Sequence, residues 1–269
     1  MKTLINVLKG MAIGVSNIIP GVSGGTMAVV LGLYDKLISS INNIFKDFKN
    51  NFIFLLQIGI GAGLGILLFS KLLSYLLNTY ANQTNFFFIG LILGSCPLLF
   101  NKAREKKSRP VDYICFVVGF GILALMAIFK DIEGSSVIIR ELSGGVFLQL
   151  TLAGIVAAAA MILPGLSGSF ILLLMGLYNT IVTAVSELNV MLLIPVAIGV
   201  VIGIVTMTKV IGWLFKKYTQ QTYFFILGLV LASIFSIYPG FAFNMTGVVS
   251  IITLIIGFGC AYAIGKNEI

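Results

Sequence analysis

Long apolar stretches alternate with short polar breaks along the whole chain. The stretches run at about residues 4–19, 22–41, 53–77, 85–100, 113–129, 146–163, 166–186, 190–214, 222–238 and 247–265. A helix crossing a bilayer needs about 20 apolar residues, within a range of about 17–25. The stretches at 53–77 and 190–214 pass that length easily. Four others form two pairs, each joined by a helix-breaking cluster. Pro20-Gly21-Val22-Ser23-Gly24-Gly25-Thr26 joins the first pair, and Pro164-Gly165-Leu166-Ser167-Gly168-Ser169-Phe170 joins the second. Proline and glycine free backbone groups, which a membrane tolerates only where protein buries them or a polar cavity solvates them. Each pair therefore reads as a helical hairpin that enters the membrane and returns to the same side. Two full spans would give the same loop topology.

The duplication extends beyond the breakers. Residues 20–34 and 164–178 match at seven of fifteen positions, and both copies run on to Gly-Leu-Tyr. Residues 80–95 and 218–233 match at nine of sixteen. Lys71 then aligns with Lys209, Gly61 with Gly199 and Gly65 with Gly203. The offset falls from 144 to 138, so the first half carries six extra residues near 42–52. The expected fold is an all-α polytopic membrane protein built from two repeats, 1–129 and 130–269. Each repeat is one hairpin plus three spans, an odd number of crossings, so the second copy should be inverted. Paired breakers in matching positions of two halves point to a transporter's binding site.

Composition agrees with this class. Of 269 residues, 59% are hydrophobic and 10% charged, against about 25% charged in soluble domains. The first apolar stretch has no small-residue cleavage site, so no cleavable signal peptide is expected. The net charge of +8 fits basic loops facing the cytoplasm better than a nucleic-acid partner. With the N-terminus inside, Lys46 and Lys49, the cluster Lys102, Arg104, Lys106, Lys107 and Arg109, then Lys216, Lys217 and Lys266 all fall on that face. That cluster is also placed to meet anionic lipid headgroups. Both termini are then cytoplasmic, and the hairpin tips meet near the midplane. The three cysteines, Cys96, Cys115 and Cys260, lie apart in apolar segments. The chain has no histidine, which removes the commonest metal ligand and the usual general base. No metal, cofactor or catalytic residue is expected.

The motifs carry the chemistry. Ser23 and Ser167 each precede a new helix, whose free N–H groups and dipole favour an anion. Gly24, Gly25 and Gly168 allow close backbone approach, and Thr26 and Ser169 add hydroxyls. Two such ends facing each other would hold a phosphate or carboxylate with little fixed charge. A charge at the bilayer centre costs about 2.5–3.5 kcal/mol on insertion scales. Lys71 and Lys209 lie near helix ends, as snorkelling residues or as a symmetric gate or phosphate guide. Lys9 can reach inward or snorkel. Arg140 and Glu141 precede the second hairpin, as a surface pair or as the outer mouth of an anion path. Asp35, Glu141 and Glu187 are candidates for proton coupling. Tyr34 and Tyr178 read as interfacial belt residues. The Gly61/Gly65 and Gly199/Gly203 spacings read as helix packing.

On these residues the chain resembles the polyprenyl-phosphate transporter family. The carrying features are the two Pro-Gly-x-Ser-Gly motifs, Leu31-Gly32-Leu33-Tyr34, Ala160-Met161-Ile162-Leu163 before the second motif, and Gly176-Leu177-Tyr178 after it. The resemblance implies a bacterial plasma-membrane flippase that recycles undecaprenyl phosphate from the outer to the inner leaflet for cell-wall synthesis. Its partners are then the lipid substrate and the bilayer, with no nucleic acid and no oligomeric state implied. Two other classes stay open on the residues alone. A channel or carrier for a small anion can use the same facing helix ends. A serine hydrolase would need Ser23 paired with Lys9 or Lys71 as base, since serine is a weak nucleophile without one.

Overall fold

The structure is a computed structural model that describes residues 2–19, 22–104, 107–128 and 138–266. Pro20 and Gly21 of the first motif, Lys106 of the basic cluster, and residues 129–137 of the connection between the halves lie outside these. The described residues fold into twelve helices: α1 (Lys2–Ser16), α2 (Gly24–Val30), α3 (Tyr34–Asn42), α4 (Phe48–Thr79), α5 (Ala81–Ala103), α6 (Pro110–Ile128), α7 (Gly144–Ile162), α8 (Gly168–Leu174), α9 (Tyr178–Ser186), α10 (Val190–Lys217), α11 (Thr219–Ile237) and α12 (Met245–Lys266). Six of them (α4, α5, α7, α10, α11 and α12) are long and apolar enough to cross a membrane. The chain is a multi-pass membrane protein.

Helices α1–α6 and α7–α12 follow the same order of elements. Helix α1 packs along α4 as α7 packs along α10, whereas α5 packs on α12 and α6 on α11. The last pairings cross between the halves and interlock them. Helices α5 and α11 also touch each other and form the centre. Over half of their most apolar stretches is buried (56% and 61%), against 22% for α4, α10 and α12, which face outward.

Lipid tails are as apolar as leucine, so helices associate here through close packing rather than water exclusion. Glycine supplies that closeness. A Cβ on Gly61 would collide with the carbonyl of Val7, one on Gly65 with Met11, one on Gly199 with Thr151 and one on Gly203 with Ile155. The two small-residue spacings therefore do what their sequence suggested, one at each α1–α4 and α7–α10 contact.

The return limbs differ from expectation. Stretches 22–41 and 166–186 are not single helices; each breaks into two short ones at the Gly-Leu-Tyr sequence. Gly32 (φ 68°) and Gly176 (φ 69°) adopt the left-handed backbone that favours glycine. Gly32 N–H donates to Val29 and Leu33 N–H to Ala28; Gly176 and Leu177 repeat this with Leu173 and Leu172. This paired pattern closes a helix end by satisfying its last carbonyls. The chain then bends by 116° between α8 and α9.

Candidate functional site

The two motif copies touch. Ser23 caps α2 by accepting the Thr26 N–H at 3.1 Å, and its hydroxyl lies 2.9 Å from that of Thr26. The same Ser23 oxygen accepts the N–H of Gly165, in the second motif, at 2.9 Å. The Asn17 side chain accepts the Gly24 N–H at 2.9 Å. Gly25 lies against the second copy, where an added Cβ would sit 3.3 Å from the Met161 carbonyl oxygen and 3.4 Å from the Pro164 Cα. Ser23 and Thr26 are buried, as are Met27 to Val30 behind them.

The second copy is built differently. Ser167 precedes α8 but makes no side-chain cap; its hydroxyl lies 2.7 Å from that of exposed Ser169. Gly168 is the one buried residue of α8 and is packed against Met161. Helix α2 rests on α5 and α3 on α10, while α9 makes no comparable contact with α4.

Tyr34 is not an interfacial belt residue. It is buried, donates its hydroxyl to the Ile162 carbonyl at 2.9 Å and packs edge-on against Phe215. It is the first residue of α3, just past the Gly32 turn. Tyr178 is half-buried.

Among the charged candidates, Lys9 reaches inward and donates to the Leu31 carbonyl at the end of α2, at 3.1 Å. Lys71 is exposed on α4, and Lys209 is exposed on α10 at the wall of a cavity. Arg140 pairs with Glu187 at 3.4 Å, rather than with its neighbour Glu141, and both partners are well exposed. Such a pair contributes little. Glu141 is exposed. Asp35 joins three elements: Lys102 of α5 pairs with it at 2.9 Å, and the Tyr223 hydroxyl of α11 donates to it. Lys102 also lies 5.7 Å from the centre of the Tyr223 ring.

Two features escaped the sequence reading. Lys102 and Tyr223 had no visible link to Asp35, although the repeats differ here: Asp35 aligns with Asn179 and Tyr223 with Asn85. Asp112 is fully buried at the start of α6 and accepts from the Arg109 backbone and from the side chains of Gln220 and Gln221. The aspartate in the first turn of a proline-started helix and the adjacent glutamine pair were the available signals. These bonds tie α6 to α11 and satisfy a carboxylate that would otherwise be costly to bury.

A cavity of about 530 Å³ opens between α3 and α10, beside Asp35 and Tyr223. A void of only about 10 Å³ shares those two residues and reaches Val29 and Gly32 of the first hairpin.

Residues 13–253 match the VCA0040-like family, described as undecaprenyl phosphate translocase-like. The chain is 36% identical to a polyprenyl-phosphate transporter of Staphylococcus aureus, over 97% of this chain and 96% of that one. It is 33% identical to a polyprenyl-phosphate transporter of Vibrio cholerae, over 89% and 79% respectively. No solved structure matches.

Proposed function

The chain belongs to the VCA0040-like, undecaprenyl phosphate translocase-like family, and from that premise we propose that it carries undecaprenyl phosphate across a bacterial plasma membrane, from the outer to the inner leaflet, returning the carrier for cell-wall synthesis. The observation that carries this reading is the Ser23–Gly165 contact, which brings the two Pro-Gly-x-Ser-Gly copies together.

The halves 1–129 and 130–269 act as inverted repeats whose re-entrant hairpins enter from opposite faces. The end bearing Lys46, Lys102 and Lys216 faces the cytoplasm, with both termini, because basic loops stay on that side. The phosphate sits between Ser23, Gly24, Gly25 and Thr26 on one side and Ser167, Gly168 and Ser169 on the other. Helices α2 and α8 have only seven residues each, so hydroxyls and amides at short range do more than any dipole. Uncapped Ser167 and exposed Ser169 offer their donors first. Ser23 and Thr26 follow once the halves part and Gly165 releases its bond. Rocking of the repeats exposes the headgroup to each leaflet in turn while the prenyl tail stays in lipid. Lys9, Lys71, Lys209 and Arg140 guide the headgroup or gate its path; Asp35, Glu141 and Glu187 are the candidates for proton coupling. The protein is a carrier rather than an enzyme, and the Ser23 hydroxyl serves as a cap and an interrepeat acceptor.

The test is movement of labelled undecaprenyl phosphate between leaflets of proteoliposomes, with and without a pH gradient. Protein-dependent movement is the expected result, and an effect of the gradient identifies proton coupling. Folded protein that moves no lipid but passes chloride or phosphate would make it a small-anion carrier instead.

A further inference from the structure

The cavity between α3 and α10 has a wall chemistry that the motif site does not explain. Lys209 and Lys216 of α10 and Lys46, in the turn after α3, all line it. Among the described residues, no carboxylate lies within ion-pair distance of any of the three. The acidic residue at the cavity, Asp35, is already held by Lys102. Three uncompensated ammonium groups around one hollow repel one another, and an anion bearing two charges relieves that. The rest of the wall is largely apolar, with Trp213 and Phe215 prominent. The Asn42 side chain, also at this wall, donates to the Thr208 carbonyl at 2.6 Å, while its own oxygen is buried with no partner among the described residues.

The two ends of the molecule are not equivalent here. Lys46 lies in the six-residue insertion peculiar to the first half, and Lys216 aligns with Asn78. Only Lys209 has a basic counterpart, Lys71. The concentration of charge thus belongs to one face, the one we assign to the cytoplasm.

We propose that this cavity is a second phosphate-monoester site, a cytoplasmic vestibule where Lys46, Lys209 and Lys216 hold the headgroup of an isoprenoid phosphate against Trp213. The choice of an isoprenoid ligand rests on the transport reading above; the phosphate site rests on the cavity. Lysine binds phosphate as a point charge with rotatable donors, which suits a wide vestibule better than a fixed fork. The Asp35–Lys102–Tyr223 cluster separates this vestibule from the narrow void beneath the first hairpin.

Trp213 is the only tryptophan in the chain, so its fluorescence reports the vestibule directly. The full chain in detergent is titrated with farnesyl monophosphate, farnesol and inorganic phosphate. Farnesyl monophosphate should give a saturable change, inorganic phosphate should compete, and farnesol should give none. Lys209→Ala with Lys216→Ala should weaken farnesyl monophosphate at least tenfold, and Lys46→Ala alone about threefold. Lys49→Ala with Lys266→Ala removes as much charge outside the cavity and should leave the affinity within twofold. Inorganic phosphate binding as tightly as the prenyl ester supports the site and assigns it to the free ion. Equal affinity in the Lys209/Lys216 variant and wild type, or a farnesol response equal to that of the phosphate, overturns the proposal. If wild type moves lipid in vesicles while the vestibule variants bind normally, the vestibule fails and transport stands. Lysine-dependent binding without lipid movement fails the transport reading alone.

Discussion

Ser23 and Ser167 occupy the same place in two copies of one motif, and their hydroxyls have different partners. Ser23 is buried, caps its own helix and accepts a bond from the opposite copy. Ser167 caps nothing and meets only the Ser169 hydroxyl among the described contacts of its side chain. The hairpins around them differ in the same sense, with α3 seated on α10 and α9 standing off α4. Similar local sequence therefore supports two packing states in one molecule. A carrier that exposes one site alternately needs this: each copy able to close on its partner, and one of them open at a given moment.

The difference can be broken at its centre. Ser23→Leu places a large side chain in a packed tip and removes the bond to Gly165; Ser167→Leu blocks the open copy without disturbing the core. Both should lower lipid translocation at least a hundredfold. Melting temperature separates them: it should fall for Ser23→Leu, by overpacking that costs about 1–3 kcal/mol, and hold for Ser167→Leu. Unchanged transport in both variants would remove the motifs from the site.

The tyrosines sharpen the contrast at smaller scale. Tyr34→Phe removes the donor to the partly buried Ile162 carbonyl and should cost about 1 kcal/mol in thermal or denaturant unfolding. Tyr178→Phe, at the aligned position, should cost less than half as much. Asp35→Asn loosens the junction of α3, α5 and α11. The ion pair is partly exposed, so stability should fall by less than about 1 kcal/mol. Labelling of Ser39→Cys in the vestibule should nonetheless speed up. Arg140→Ala, which removes an exposed pair with Glu187, should change stability by under about 0.5 kcal/mol; a larger loss would show that this mouth is a structural clamp.

The spans were legible because their signals are local. A run of apolar residues such as 53–77 announces α4, and the helix extends to 48–79 only because polar ends can continue it into the interface. The breakers were legible for the same reason, as were the glycine contacts. The second break in each return limb was not, because Gly32 and Gly176 sit in sequence apolar enough to read as continuous helix. Their positive φ depends on a helix end forming just before them. The state of each motif was beyond reach as well: Ser23 and Ser167 have nearly the same neighbours in sequence, and only tertiary packing gives one of them Gly165. Asp35, Lys102 and Tyr223 come together across separations of 67 and 188 residues, and no local pattern records that.

The most direct test locks the two tips together. A Cβ at Gly25 would lie 3.4 Å from the Pro164 Cα, within reach of a disulfide between Gly25→Cys and Pro164→Cys. The pair is made in a chain lacking Cys96, Cys115 and Cys260, and translocation of labelled undecaprenyl phosphate is followed in vesicles before and after reduction. If the copies must part to pass the headgroup, the oxidised protein is inactive and reductant restores transport. Oxidised, cross-linked protein that moves lipid as fast as the reduced form contradicts the account.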